Sequence, residues 1–217
     1  METGHFVEQT MKILIVDDHT IFRDGLKRVL LDEFKTAIFG DAGNAAEALK
    51  QVWKEKWDLV LLDITMHGRS GLDVLKEIRT SVPNLPVLIL SGHPEEQYAV
   101  RVLRAGADGY LTKESASQEL CSAVRKLLSG GKYVSARLAE QLAAEIQSPQ
   151  RDLHETLSNR EYQVMLLIAA GKVPKEISNE LSLSAKTIST YRSRILKKLK
   201  LRNNAEVMRY VMERKLA

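Results

Sequence analysis

The chain has one cysteine, an aromatic content of 6% and no acidic residue at all between Lys186 and Arg202. Each shortage excludes something. A lone thiol, Cys121, forms no disulfide within the chain, so no disulfide framework holds the protein together; it falls in a stretch of helical apolar spacing and reads as a small, buried or half-buried side chain. No apolar run approaches the roughly 20 residues that cross a bilayer. Residues 1–11 carry Glu2, His5 and Glu8 where a signal peptide would be apolar. A soluble, cytoplasmic protein with no membrane partner is expected. No internal repeat or low-complexity tract stands out.

At 217 residues the chain is long for one ordinary domain and comfortable for two. Charge divides it. Residues 153–217 hold 13 Lys and Arg against 6 Asp and Glu, whereas the remainder holds 19 against 22. Seven of those cations lie between Lys186 and Arg202. A basic stripe on a small domain is the electrostatic footprint of phosphate-backbone binding, although a merely solvated basic face has the same composition.

The mildly acidic part carries chemistry of another kind. Asp17 and Asp18 directly follow the apolar run Ile13 to Val16, and Asp63 directly follows Leu59 to Leu62. Runs this short and sharply ended read as strands of a parallel sheet covered on both faces, and in such sheets ligands bind at the carboxyl ends. Three carboxylates converging there repel one another unless a hard dication such as Mg2+ sits among them. Val87 to Leu90 ends in Ser91, and Gly109 to Thr112 leads into Lys113. A carboxylate nucleophile at Asp63, a metal and Lys113 to neutralise phosphoryl oxygens, and a hydroxyl at Ser91 to bond one of them suit phosphoryl transfer.

Alternating signals fill the spaces between these ends. The patterning predicts strands at Ile13 to Val16, Ala37 to Phe39, Leu59 to Leu62, Val87 to Leu90 and Tyr110 to Leu111. Helices are predicted over Ile21 to Leu31, Asn44 to Lys54, Leu72 to Thr80, Pro94 to Arg104 and Ser117 to Leu128. Five strands alternating with five helices over short loops make a five-stranded, doubly wound parallel sheet of the flavodoxin-like kind, closed by Gly130-Gly131. A linker then begins as a helix, with Leu138, Leu142 and Ile146 in register, and breaks at Ser148 to Asp152.

The last segment is helical throughout. Ser158 with Glu161 three residues on offers a capping box; Val164, Leu167 and Ile168 give that helix its apolar face, and Gly171 ends it. Lys175 to Leu181, a turn at Ser182-Leu183 and a helix from Ser184 to about Lys200 form a helix-turn-helix candidate. In the longer helix Ile188, Tyr191, Ile195 and Leu199 share the core side. Lys186, Ser189, Thr190, Ser193 and Lys197 lie opposite, with Arg192 and Arg194 on the flanks and Thr187 near the start. Short hydroxyls let such a helix enter the major groove while long cations reach phosphates. A fourth helix, Asn203 to Glu213, offers Val207 and Val211 as a small apolar patch for pairing on DNA.

Two sets of residues resemble known families. VDDH at the first strand, LLDITM around Asp63, LSGH at Ser91 and AGADGYLTK at Lys113 are similar to the receiver domain of two-component response regulators. The resemblance implies that Asp63 accepts phosphate from a sensor histidine kinase and that Asp17, Asp18, Asp63 and the Thr65 backbone carbonyl hold Mg2+. It also implies that Ser91 and Tyr110 act as the switch, and that the chain is no enzyme beyond promoting its own phosphorylation and dephosphorylation. Leu157 to Glu161, Lys175-Glu176-Ile177 and Leu183 to Ile188 resemble the four-helix DNA-binding domain of the LuxR and NarL type. Together they imply a NarL/FixJ-type regulator that dimerises on activation, binds double-stranded promoter DNA and acts on RNA polymerase. The expected division is a tail at 1–11, a receiver at 12–131, a partly helical linker at 132–152 and a DNA-binding domain at 153–217.

The sequence departs from those patterns at three places. His67 stands where receivers usually have proline, Val173-Pro174 replaces the more usual Ser-Asn, and Tyr191 takes a position that is often histidine. Two other readings stay open. An aspartyl-phosphate enzyme would need a second acid two residues after Asp63, where Thr65 stands. A module binding RNA through its basic helix would display stacking aromatics, and that helix has only Tyr191; one acting on a protein partner would not need them.

Overall fold

The computed structural model describes residues 10–147, 152–214 and 216. Its first part runs β1 (Lys12–Val16), α1 (Thr20–Glu33), β2 (Ile38–Ala42), α2 (Ala45–Lys54), β3 (Leu59–Asp63), α3 (Gly71–Ser81), β4 (Val87–Ser91), α4 (Glu95–Arg104), β5 (Gly109–Thr112) and α5 (Ala116–Leu128). The strands form one all-parallel sheet in the order β2-β1-β3-β4-β5. Side chains alternate across it. Leu14, Val16, Val60, Leu62, Val87 and Ile89 pack towards α2, α3 and α4, whereas Ile13, Ile15, Leu59, Leu61, Leu88 and Leu90 pack towards α1 and α5.

The edge strand departs from expectation. It lies at Ile38–Ala42 rather than Ala37 to Phe39, because its placement is set by the pairing of Lys12 with Ile38 through Val16 with Ala42. An edge strand buries little, and Ile38 remains half exposed, so no apolar run marks its ends.

Gly130, at φ +81°, adopts the left-handed turn that ends α5; its N–H bonds Leu127 O at 2.9 Å and that of Gly131 bonds Lys126 O at 2.9 Å. The chain then doubles back. Tyr133 pairs with the β5 backbone through Asp108 and Tyr110, and α6 (Ala136–Gln147) lies against α4 with Leu138 fully buried and Leu142 half-buried. The first half of the expected linker is therefore packed on the sheet domain. Most of the expected break at Ser148 to Asp152, and of the tail at 1–11, falls outside the described residues.

After a 3-10 turn at Leu153–Thr156 come α7 (Asn159–Ala169), α8 (Pro174–Leu181), α9 (Ala185–Leu199) and α10 (Asn204–Glu213). The Ser158 hydroxyl accepts from Glu161 N at 3.3 Å, and the Glu161 carboxylate accepts from Ser158 N at 2.7 Å, completing the capping box. Pro174 opens α8, where its missing N–H is not needed. Ser184 and Asn203 cap α9 and α10.

One expectation is overturned here. Val207 and Val211 are 0% exposed. They belong to the domain core, because α10 lays that face on α7, and so they form no surface patch. The large apolar side chain that α10 does expose is Met212, 66% exposed, one turn from half-buried Met208.

The two domains are docked through α7. Tyr162 donates to Gln97 O at 2.8 Å and meets Tyr98 edge-on, with centroids 5.5 Å apart. Arg101 of α4 donates to Leu157 O and to Asn159 Oδ1 at 3.2 Å, its guanidinium 4.8 Å from the Tyr162 ring centre. Asn159 in turn donates to Asp73 at 3.1 Å. Arg160, only 8% exposed, donates to the carbonyls of Met66 and Gly68 in the loop after Asp63. With the domain core on one side and the sheet domain on the other, α7 is buried nearly all round despite its polar residues.

Candidate functional site

Because β1 and β3 are neighbours in the sheet, their ends bring Asp17, Asp18 and Asp63 together at the point where the strand order reverses. Lys113, just past β5, reaches across with Nζ 2.5 Å from Asp17 Oδ2 and 2.8 Å from Asp63 Oδ2. Thr65 N–H donates to the other Asp63 oxygen at 2.9 Å. Asp63 is 1% exposed. Burial pushes its carboxyl up to about 6, against the pull of Lys113 and with the help of Asp17. Burial also works against the Lys113 charge, but the Asp63 and Asp17 carboxylates outweigh it and hold that ammonium above its ordinary range.

Two histidines flank the acids. His67 approaches Asp18 from the loop after β3, its backbone N–H 3.0 Å from Oδ2 and its ring against the same oxygen. Burial opposes the Asp18 charge, yet these bonds, with the nearby His19, hold its carboxyl below the usual range. His19 Nδ1 lies 3.1 Å from Asp17 Oδ1 and 2.9 Å from Asp18 Oδ1. In the sequence His67 is only a departure from the usual proline and His19 has no expected role; adjacency to Asp18 is the signal for the second. The donor set fits a hard dication. Three carboxylates converge, and Asp18 Oδ1 is buried without a hydrogen bond.

Ser91 ends β4 fully buried, its hydroxyl accepting from His93 N at 3.0 Å. Tyr110 is buried in β5 and donates to His93 O at 2.8 Å. His93 therefore joins the two expected switch residues. Its ring stacks on Tyr98, with centroids 4.8 Å apart, which is the residue that meets Tyr162 of the other domain. The sequence carried no sign of this bridge.

Metal-free protein provides a direct check on the crowding of acids. Folded Asp63 holds its proton more tightly than an unfolded carboxylate of pKa 3.8, so its stabilising contribution is complete below pH 3.8 and lost as pH rises through about 6. In denaturant titrations with chelator, Asp63→Asn should therefore gain on the parent protein between pH 4 and 6, by about 3 kcal/mol, and level off above. A pH-independent difference would show that the acids do not strain the fold.

On α9, Lys186, Ser189, Thr190, Ser193, Arg194 and Lys197 are all exposed, while Ile188, Ile195 and Leu199 are buried. The docked sheet domain leaves that outward face uncovered. Thr190 and Ser193 hydroxyls bond back to Lys186 O and Ser189 O at 3.0 Å each. Thr187 is half-buried beside the Ser184 cap, and Tyr191 is half-buried rather than fully in the core. Arg192 is also half-buried, and its Nε donates to Asn204 Oδ1 at 2.6 Å, so it ties α9 to α10.

A doubly wound domain with a carboxylate pocket, joined to a helix-turn-helix domain with a bare basic face, defines a signal receiver coupled to a DNA-binding output. The chain belongs to the response regulators of the NarL/FixJ type: residues 13–125 match the response regulator receiver domain, and residues 155–211 match the luxR family of bacterial regulatory proteins. It is 36% identical over 199 residues to the response regulator UvrY of Escherichia coli (strain K12), covering 91% of each chain. The response regulator GacA of Pseudomonas aeruginosa is also 36% identical over 199 residues, covering 91% of this chain and 93% of that one. Among solved structures, the RcsB response regulator of Salmonella typhimurium superposes with a TM-score of 0.67 at 25% identity, over 94% of this chain and 98% of that one. RcsB bound to promoter rprA in the presence of the phosphomimetic BeF3- gives a TM-score of 0.62 at 25% identity, covering 94% and 99%. No helix of the described residues is long and apolar enough to cross a membrane.

Proposed function

We propose that this protein is a cytoplasmic, phosphorylation-controlled transcription regulator: Asp63 accepts a phosphoryl group from a sensor histidine kinase, and the basic domain then binds promoter DNA as a dimer and engages RNA polymerase. The observation that carries the reading is the contact of Lys113 with both Asp63 and Asp17 at the strand ends. An Asp63 oxygen forms a bond to phosphorus as the bond from phosphorus to the donor's leaving group breaks. Lys113 is placed to move from the carboxylates onto the phosphoryl oxygens, and Ser91 to give up His93 N and donate to one of them. Asp17, Asp18, Asp63 and the Thr65 carbonyl would hold Mg2+, which supplies further neutralisation of the phosphoryl charge. The chain is not an enzyme acting on a separate substrate.

Incubation with acetyl phosphate and Mg2+ should add one base-labile phosphoryl group per chain. Asp63→Asn should abolish the labelling and chelation should suppress it. Labelling that survives Asp63→Asn would refute the assignment.

RcsB is seen bound to promoter DNA, and dimers of it bound to two DNAs are known. The exposed cations of α9 support the same role here. Lys197→Ala and Arg194→Ala should weaken binding to all DNA sequences alike and flatten the dependence of affinity on salt, because each neutralised phosphate releases counterions. Changes at Ser189, Thr190 or Ser193 should alter sequence preference, at about 1–3 kcal/mol per good base contact. Measuring affinity on specific and scrambled duplexes across a salt series separates the two effects. A basic-residue variant that changes preference but not salt slope would refute the division.

A further inference from the structure

The oxygen atoms of the acidic pocket are almost all engaged. Asp63 uses one oxygen for Thr65 N–H and the other for Lys113; Asp17 gives Oδ2 to Lys113 and Oδ1 to His19; Asp18 gives Oδ2 to His67. What is left is Asp18 Oδ1, which makes no hydrogen bond although its side chain is only 10% exposed. The nitrogen next to it is His19 Nδ1, 2.9 Å away, and that same nitrogen lies 3.1 Å from Asp17 Oδ1. Ligand atoms of Asp17, Asp18, His19 and Asp63 all lie within 4.8 Å of one another. A cation entering at Asp18 Oδ1 thus meets an imidazole nitrogen beside the carboxylates.

We propose that His19 is a nitrogen ligand of this metal site, and that it shifts the site's preference from Mg2+ towards first-row transition dications. Hard, small Mg2+ keeps to oxygen and gains little from an imidazole, whereas Ni2+, Co2+ and, more weakly, Mn2+ gain from it. His19 is suited to the task because its ring is exposed and carries no capping bond, although it stands at the N-cap of α1. His67 acts differently. It grips the outer Asp18 oxygen through both backbone and ring and so orients the carboxylate as a positioning residue. The inference rests on the reading of the pocket as the metal site of a phosphoacceptor.

The test uses the full chain with Ni2+, Mg2+ and Mn2+ as probes. Pulsed paramagnetic resonance of bound Mn2+ should show the coupling of a directly ligated 14N nucleus. The coupling should vanish in His19→Ala and in His19→Asn, the second of which supplies a good helix cap so that a weakened start of α1 is not the cause. By calorimetry, both variants should lose about tenfold or more in Ni2+ affinity while Mg2+ affinity stays within about twofold. Asp18→Asn should abolish binding of all three ions at this site. Absence of nitrogen coupling in the parent protein, coupling lost only in His67→Ala, or a parallel loss of Ni2+ and Mg2+ affinity would each overturn the assignment of His19. If Mg2+ still supports labelling of Asp63 in those cases, the phosphoacceptor reading stands; if Mg2+ neither binds nor supports labelling, that reading fails as well.

Discussion

Replacing Arg101 by alanine should release the DNA-binding domain from the receiver. This side chain ties the Leu157 carbonyl, the Asn159 amide and the Tyr162 ring to α4, three groups of α7 and its lead-in turn at once. Removing a half-buried, hydrogen-bonded guanidinium costs about 2 kcal/mol, roughly 30-fold in the docking equilibrium. Tyr162→Phe, which deletes the bond to Gln97 O and keeps the ring, should shift it less. Solution scattering should record a larger radius of gyration for Arg101→Ala than for the parent protein.

The response of DNA binding depends on which faces the docking covers. It buries α7 and leaves the outward face of α9 bare. Affinity for a single half-site should therefore stay within about threefold of the parent, while binding to paired half-sites becomes tighter and more cooperative, because freed domains can meet. Arg101→Ala protein of unchanged dimensions would show that other contacts hold the domains. A large gain at a single half-site would show that docking obstructs DNA access itself. Phosphorylation should act on the same equilibrium, since Ser91 and Tyr110 both bond His93, and His93 stacks on the tyrosine that meets Tyr162.

Gly71→Ala should damage both the fold and the Asp63 pocket. A Cβ at this position, the first residue of α3, would stand 2.0 Å from Asp63 O and 2.9 Å from Ile64 Cα. Both are backbone atoms and neither can swing aside, so α3 or the end of β3 must move. The expected cost is about 3 kcal/mol, in the upper range for overpacking, or roughly 6–12 °C in Tm. Phosphoryl labelling should slow as well, because the displaced carbonyl belongs to Asp63 itself. Gly25→Ala is the matched control. Gly25 lies within α1 with nothing within 4 Å of its built Cβ, so the change should stabilise by about 0.5–1 kcal/mol. Gly71→Ala protein that melts with the parent and labels at the same rate would contradict the packing described.

Much of this protein was legible in its residues because the signals are local. Ile13 to Val16 and Leu59 to Leu62 read as buried strands, and the residues just past such strands in a parallel sheet lie at its ligand-binding end; hence Asp17, Asp18 and Asp63 were recognised together. The Ser158–Glu161 box, Pro174 at the start of α8 and the turn at Gly130 depend on neighbours only a few residues away, and they formed as expected.

Tertiary structure alone decided the rest. Helical spacing showed that Val207 and Val211 share an apolar face, but such a face serves a core and an interface equally; the packing of α10 on α7 buried both and left Met212 outside. Nothing in the local pattern marks Arg101 or Arg160, because their partners in the other domain lie more than fifty residues away along the chain. The nitrogen beside Asp18, from His19 next to it and from His67 across the pocket, emerged only once two strand ends and a loop were fixed in space. Periodicity and capping record what a residue does with its own turn or strand. Which two polar surfaces meet depends on the shape of both, and no single stretch of sequence carries that shape.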